Sequence, residues 1–193
     1  MRYPITKTFI IEYFKTHHIE PKVIIEIGAG DCTDSTQFSD IWPDCKIYAF
    51  EIVPELVNIS KENIKDYPNI KLIETVISDC DGEIDFYQTG NFYSSSIILK
   101  HIQSHHPKTV LRKSMKLDSC EDIKDIKTVD LLWLCVQGAD DIVLKGATQT
   151  LQKTTLIINQ GASYSTRVIP GFMPCVHNMI IEQRQAFIKK ENI

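Results

Sequence analysis

Glu26, Gly28, Gly30 and Glu51 are the residues whose types and spacing first point to chemistry. Glu26 lies within the run VIIEI at 23–27, and Gly28 and Gly30 break the chain directly after it. A glycine turn that closes a strand and opens a helix lets backbone N–H groups approach a nucleotide-type ligand. Glu51 ends a second apolar run, KIYAF at 46–50. It follows the turn by about twenty residues, the separation at which a carboxylate reaches a ribose in such folds. A carboxylate accepts from two vicinal hydroxyls at once, which neither an amide nor a lysine does. A Gly-x-Gly turn alone also serves as a plain bend, so Glu51 is what lifts the ligand reading above that one.

Thr33 stands where the third glycine of a dinucleotide fingerprint would be. A looser turn beside an acidic strand end suits S-adenosylmethionine, which has no pyrophosphate, better than NAD or FAD. Ser78 and Asp79 close another apolar run, where a side-chain acceptor could take an adenine amino group; an Asx turn explains Asp79 equally well. His101, His105 and His106 follow the polar stretch NFYSSS at 91–96. Any of the three is a candidate general base for a hydroxyl substrate, and each is also an ordinary loop histidine.

The elements that must position these groups are legible from periodicity. Ile5, Phe9, Ile10, Tyr13 and Phe14 predict an amphipathic helix over 5–16. Strands are expected at 23–27, 46–50, 70–77, 82–89, 129–136 and 155–158, with one closing at 115–118. Thr33, Asp34 and Ser35 offer caps for a helix that ends before Pro43, and Pro54 suits the first turn of another. Asp140 and Asp141 open a helix carrying Ile142, Leu144, Ala147 and Leu151 on one face. Beyond 160 the periodicity fades, and only 179–190 regains a helical pattern.

At 193 residues the chain reads as one domain, with a helix over 1–21, a binding core over 22–160 and a divergent tail over 161–193. Its net charge of −4 argues against a nucleic-acid backbone as partner. Six scattered cysteines without zinc spacing read as reduced thiols of a cytoplasmic protein, and no metal site is expected. The start carries Glu12 among its apolar residues, so neither a secretory leader nor a membrane span is expected there.

These motifs resemble the FkbM-type S-adenosylmethionine-dependent methyltransferases. The resemblance runs over about 23–158, through EIGAGDCTDS (26–35), FEIVPE (50–55), SDCDG (78–82), Ser94 to Ser96, KLDS (116–119) and above all DLLWLCVQGADDIVLKGA (130–147). It implies a Rossmann-like α/β fold, doubly wound around a mostly parallel sheet, that methylates a hydroxyl of a sugar or similar small metabolite. Carried over, Glu26, Gly28, Gly30 and Asp31 would line the methionine and ribose side of the cofactor. Glu51 would hold its ribose hydroxyls, Ser78 and Asp79 would face its adenine, Ile52 and Val136 would also contact it, and position 135 would lie beside its methyl group.

Three departures from the family pattern stand out. Cys135 stands where the family has Asp, and Trp133 where it has Lys. The tyrosine- and glycine-bearing tail of the family is not recognisable in 161–175, so the last strands are expected to be altered or missing. Cys135 could act as a nucleophile, though the sequence places no histidine beside it; a buried, inert thiol is the simpler reading. The sequence therefore supports a small-molecule O-methyltransferase, or a member that keeps the fold and works by binding. An NAD-dependent oxidoreductase is disfavoured by Thr33 and by the 130–147 signature.

Overall fold

The computed structural model describes residues 7–98, 106–159 and 178–179. Helix α1 (Lys7–Thr16) buries Ile10 and Phe14 and leads to β1 (Val23–Ile27). There follow α2 (Thr33–Ile41), β2 (Lys46–Glu51), α3 (Pro54–Asn63) and β3 (Ile70–Glu74). A second group holds β4 (Val76–Ile77), β5 (Gly82–Gln88) and β6 (Lys108–Met115). The chain then runs through α4 (Glu121–Lys124), β7 (Val129–Leu134), α5 (Asp140–Lys145), α6 (Thr148–Gln152), β8 (Thr154–Asn159) and β9 (Asn178–Met179).

The main sheet has the order β3-β2-β1-β7-β8-β9, parallel except for β9, which pairs antiparallel with β8. Strands β1 and β7 lie at its centre, which is why their sequences are continuous β-branched and aliphatic runs. Alternate residues face opposite cores. Ile25, Ile27, Leu132 and Leu134 pack with Val143 and Leu151 on one side. Ile24, Leu131 and Trp133 pack with Ile10, Phe14 and Phe38 on the other. Full burial of each such side chain contributes about 1.5–3 kcal/mol, so these two strands hold the layers together. Asp130, at the start of β7, accepts from the backbone N–H groups of Lys22 (2.8 Å) and Val23 (2.9 Å) and so fixes where β1 begins.

The architecture is the Rossmann-like, mostly parallel α/β sheet expected, with several local differences. The 70–77 run does not form one strand: it breaks at Thr75, and Val76–Ile77 joins a separate sheet of order β4-β6-β5. In that sheet β5 pairs antiparallel with β6. Helix α2 has no side-chain cap from Thr33, Asp34 or Ser35; its N-cap is Cys32, in the left-handed conformation at φ 61°. Asp31 instead accepts from the Thr33 N–H at 3.0 Å. Strand β6 ends at Met115, and 117–119 forms a single 3-10 turn, so the strand expected to close over 115–118 stops earlier. The helix expected from Asp140 to Leu151 is two helices broken at Gly146. Beyond β8, the described part of the tail is Asn178–Met179, so Met179 opens no helix, and 180–190 lies outside the described residues.

Candidate functional site

Parallel strands end together, and the turns after β1, β2 and β7 enclose a cleft of about 740 Å³, open to solvent, at their carboxyl ends. Its floor is Ile27, Gly28 and Cys135. One wall is Glu51, Ile52, Val53 and Leu56, and the other carries Phe86, Phe92 and Tyr93. The lining is mainly apolar with a few polar groups, the composition of a small-molecule site.

Gly28 has no alternative at its position. Its φ is +79°, and a Cβ there would stand 2.2 Å from the Cys135 carbonyl oxygen. The Gly28 and Ala29 N–H groups donate to the Phe50 carbonyl at 3.0 and 2.9 Å, and the Cys135 N–H donates to the Ile27 carbonyl at 2.9 Å. The glycine turn is thus packed between the neighbouring strand ends rather than projecting into solvent. Gly30 (φ +59°) lies beneath the Tyr93 ring.

Glu51 is buried at the end of β2. Its Oε2 accepts from the Gly30 N–H at 2.8 Å, and its Oε1 accepts from the N–H groups of Ile52 (2.7 Å) and Val53 (2.8 Å). Burial raises its pKa, and the three backbone hydrogen bonds oppose that rise. The carboxylate is held rigidly at the cleft wall, with acceptor capacity left for hydroxyl donors.

Glu26 and Asp31 bracket the turn without lining the cleft. Glu26, 2% exposed, points to the α2 side of β1, where Ser35 Oγ donates to its carboxyl. Burial pushes its pKa up to about 8, against the Ser35 hydrogen bond. In register beside it on β7 is Trp133, whose ring meets Phe38 edge-on at 5.6 Å and whose Nε1 is buried without a hydrogen-bond partner among the described residues. Partial burial disfavours the Asp31 charge, but hydrogen bonds from Thr33 and Tyr93 outweigh it and hold its pKa below the ordinary carboxylate range.

Of the residues singled out in the sequence, Gly28, Gly30, Glu51, Ile52, Cys135 and Val136 line the cleft together. Ser78 and Asp79 do not. Ser78 is fully buried and its Oγ meets Ser114 Oγ, while Asp79 is exposed. The reason is the break at Thr75, which ends β3 early and turns Thr75, Val76 and Ile77 toward the cleft instead. Cys135 lines the floor, and burial pushes its thiol up to about 12, with Glu26 and Asp34 adding to the effect. At neutral pH it is a protonated thiol, neither base nor thiolate. His106 is exposed, with φ 46°, and does not line the cleft; His101 and His105 lie outside the described residues.

Sequence reasoning missed the aromatic wall. Phe86 comes from β5, and Phe92 and Tyr93 from the loop after it, which crosses over the cleft. The aromatic pair inside the polar NFYSSS stretch was the available signal. Among the described residues, no group of three or more His, Cys, Asp or Glu is placed to hold a metal ion, and no helix is long and apolar enough to cross a membrane.

The 2-O-methyltransferase NoeI of Sinorhizobium fredii is 26% identical over 151 residues, which cover 72% of this chain and 62% of NoeI. The chain therefore spans under two thirds of that relative's length. Among solved structures, a precorrin-6y C5,15-methyltransferase from Geobacter metallireducens GS-15 is 14% identical, with a TM-score of 0.42 over 80% of this chain and 61% of that one. PKMT2 from Rickettsia typhi is 11% identical, with a TM-score of 0.39 over 72% of this chain and 21% of that one. The family described as Methyltransferase FkbM domain matches residues 26–187, from Glu26 of β1 through β9, and the chain belongs to that family.

Proposed function

We propose that the chain is an S-adenosylmethionine-dependent methyltransferase that acts on a hydroxyl of a sugar or other small metabolite. The observation that carries this reading is the Glu51 carboxylate, fixed by three backbone N–H groups at the wall of an otherwise apolar cleft. The residues present fit the cofactor. Glu51 would accept from the ribose diol, and Ile52, Val53 and Leu56 would face the adenine. Gly28, where a side chain is excluded, would lie against the methionine portion. When bound, that group supplies a methyl carbon on a sulfonium. The chain's own part is to orient two partners in line and keep water from between them. NoeI, named as a 2-O-methyltransferase, supports a hydroxyl as the methyl acceptor.

Calorimetry with S-adenosylmethionine, its demethylated product and NAD tests the reading. Binding of the two sulfur compounds and not of NAD is expected; binding of neither at millimolar concentration sinks it.

One observation favours a second reading, in which the chain binds the cofactor or a partner without catalysis. Cys135 lines the cleft where the resemblance implies an Asp, and its thiol, pushed up to about 12 by burial, takes no proton from a hydroxyl at neutral pH. Loss of a proton-accepting group costs about 100- to 10,000-fold in rate. Turnover of the wild type and of Cys135→Asp on a panel of hydroxylated acceptors separates the readings. Activity confined to the Asp variant supports the binding role; comparable turnover by the wild type removes it.

A further inference from the structure

The loop over 89–97 lines the cleft as a strap: Phe92 and Ile97 pack against the apolar cluster of Val53, Leu56 and Phe86, and two further fastenings tie the strap to the turns of the cleft floor. At its far end Ser96 is buried. It exchanges backbone hydrogen bonds with Tyr87 at 2.8 and 3.1 Å, and its Oγ donates to the Gln137 carbonyl at 3.3 Å. That end is tied both to β5 and to the turn after β7. At the near end the Tyr93 ring sits on Gly30, where an added Cβ would stand 3.3 and 3.4 Å from two ring carbons. The Tyr93 hydroxyl donates to Asp31 Oδ2 at 3.0 Å. This second fastening joins the strap to the turn after β1, so the strap bridges the two turns that form the floor of the cleft.

The fastenings are unequal. Ser96 is held by paired backbone bonds in a buried position, whereas Tyr93 is 52% exposed and held by its seat and one side-chain hydrogen bond. A partly exposed hydrogen bond is worth about a fivefold change in an opening equilibrium. Of these two fastenings Tyr93 is the weaker and Ser96 the firmer.

We propose that the Tyr93–Asp31 hydrogen bond is the latch of this strap, and that its opening governs entry and departure of the cofactor. The inference rests on the reading of the cleft as an S-adenosylmethionine site. A latch differs from an ordinary ligand contact in its kinetics. Weakening a contact speeds departure alone, whereas weakening a latch that closes over both the empty and the filled cleft speeds entry and departure together.

The test is surface plasmon resonance of S-adenosylmethionine on the immobilised full chain. Tyr93→Phe, which keeps the ring and loses the hydroxyl, is expected to raise both rates about fivefold with Kd changed less than about twofold. Leu111→Ala, at an exposed position of β6 that does not line the cleft, is expected to leave both rates unchanged. A thermal midpoint for Tyr93→Phe within about 2 °C of the wild type excludes a folding defect as the cause. Faster dissociation alone, or unchanged rates with a wild type that binds, overturns the latch and leaves the reading of the cleft standing. No binding by the wild type overturns both.

Discussion

Gly146 lies so close to Ser78 that a Cβ on it would stand 1.8 Å from the Ser78 carbonyl oxygen and 2.9 Å from its carbonyl carbon. The Gly146 carbonyl in turn accepts from the Asp118 N–H at 3.1 Å. The Asp118 carboxylate accepts from the N–H groups of Gln149 (2.7 Å) and Thr150 (2.8 Å) and from both threonine hydroxyls of α6. The SDCDG, KLDS and VLKGA stretches therefore meet in one joint that docks the smaller sheet against α5 and α6, away from the cleft. Gly146 also explains why one amphipathic pattern becomes two helices, because the chain has to pass the Ser78 bend there.

The joint makes Gly146→Ala a strongly destabilising change. The obstructing atoms are backbone, so α5 or the Ser78 turn has to move, at a cost of about 3 kcal/mol or more. Gly90→Ala meets no atom of the described residues within 4 Å and is expected to stay within about 0.5 kcal/mol of the wild type. Urea unfolding of the two variants measures the contrast; equal midpoints would remove the joint from the account.

Glu51→Ala is expected to weaken S-adenosylmethionine binding by more than about 1 kcal/mol, the value of a charge-assisted hydrogen bond. It also leaves the N–H groups of Gly30, Ile52 and Val53 without their acceptor, so stability falls by roughly 1–3 kcal/mol. Calorimetry and denaturant unfolding read the two effects separately. Unchanged affinity would count against Glu51 as the ribose ligand, whatever the stability does.

Glu26 ties stability to pH. In the folded chain its pKa is about 8, against 4.5 when solvated, so the folded state keeps a proton that the unfolded chain releases. Its contribution is complete below about 4.5 and is lost as pH rises to about 8, with a slope of up to about 1.4 kcal/mol per pH unit. Glu26→Gln keeps an acceptor for the Ser35 hydroxyl and carries no titrating proton. Unfolding free energies of the two proteins are expected to diverge in favour of the variant as pH increases from 5 to 8; parallel profiles would show that Glu26 is already ionised.

Burial also orders the thiols. Cys80 is exposed, whereas burial pushes Cys32, Cys45 and Cys135 up to about 12. Iodoacetamide at pH 8 is expected to label Cys80 well before these three, followed by mass spectrometry of peptides. Rapid labelling of Cys135 in the folded protein would restore it as a nucleophile.

The sequence by itself determined the parallel core of the main sheet and the start of the cleft. Continuous apolar runs at 23–27 and 129–134 have no stable place except the middle of a parallel sheet. Gly28 and Glu51 mark the ends of neighbouring strands through local rules of turn and spacing. Tertiary structure decided what those rules do not reach. Thr75 splits an apolar run that periodicity reads as one strand, because Val76–Ile77 pairs with β6, nearly forty residues later in the chain. The same break leaves Ser78 in the joint and brings in Phe86, Phe92 and Tyr93 as the cleft wall. Tyr93 meets Asp31 across 62 positions and Gly146 meets Ser78 across nearly seventy. Contacts at such separations leave no period in the sequence, since they depend on where whole elements pack rather than on the neighbours of either residue.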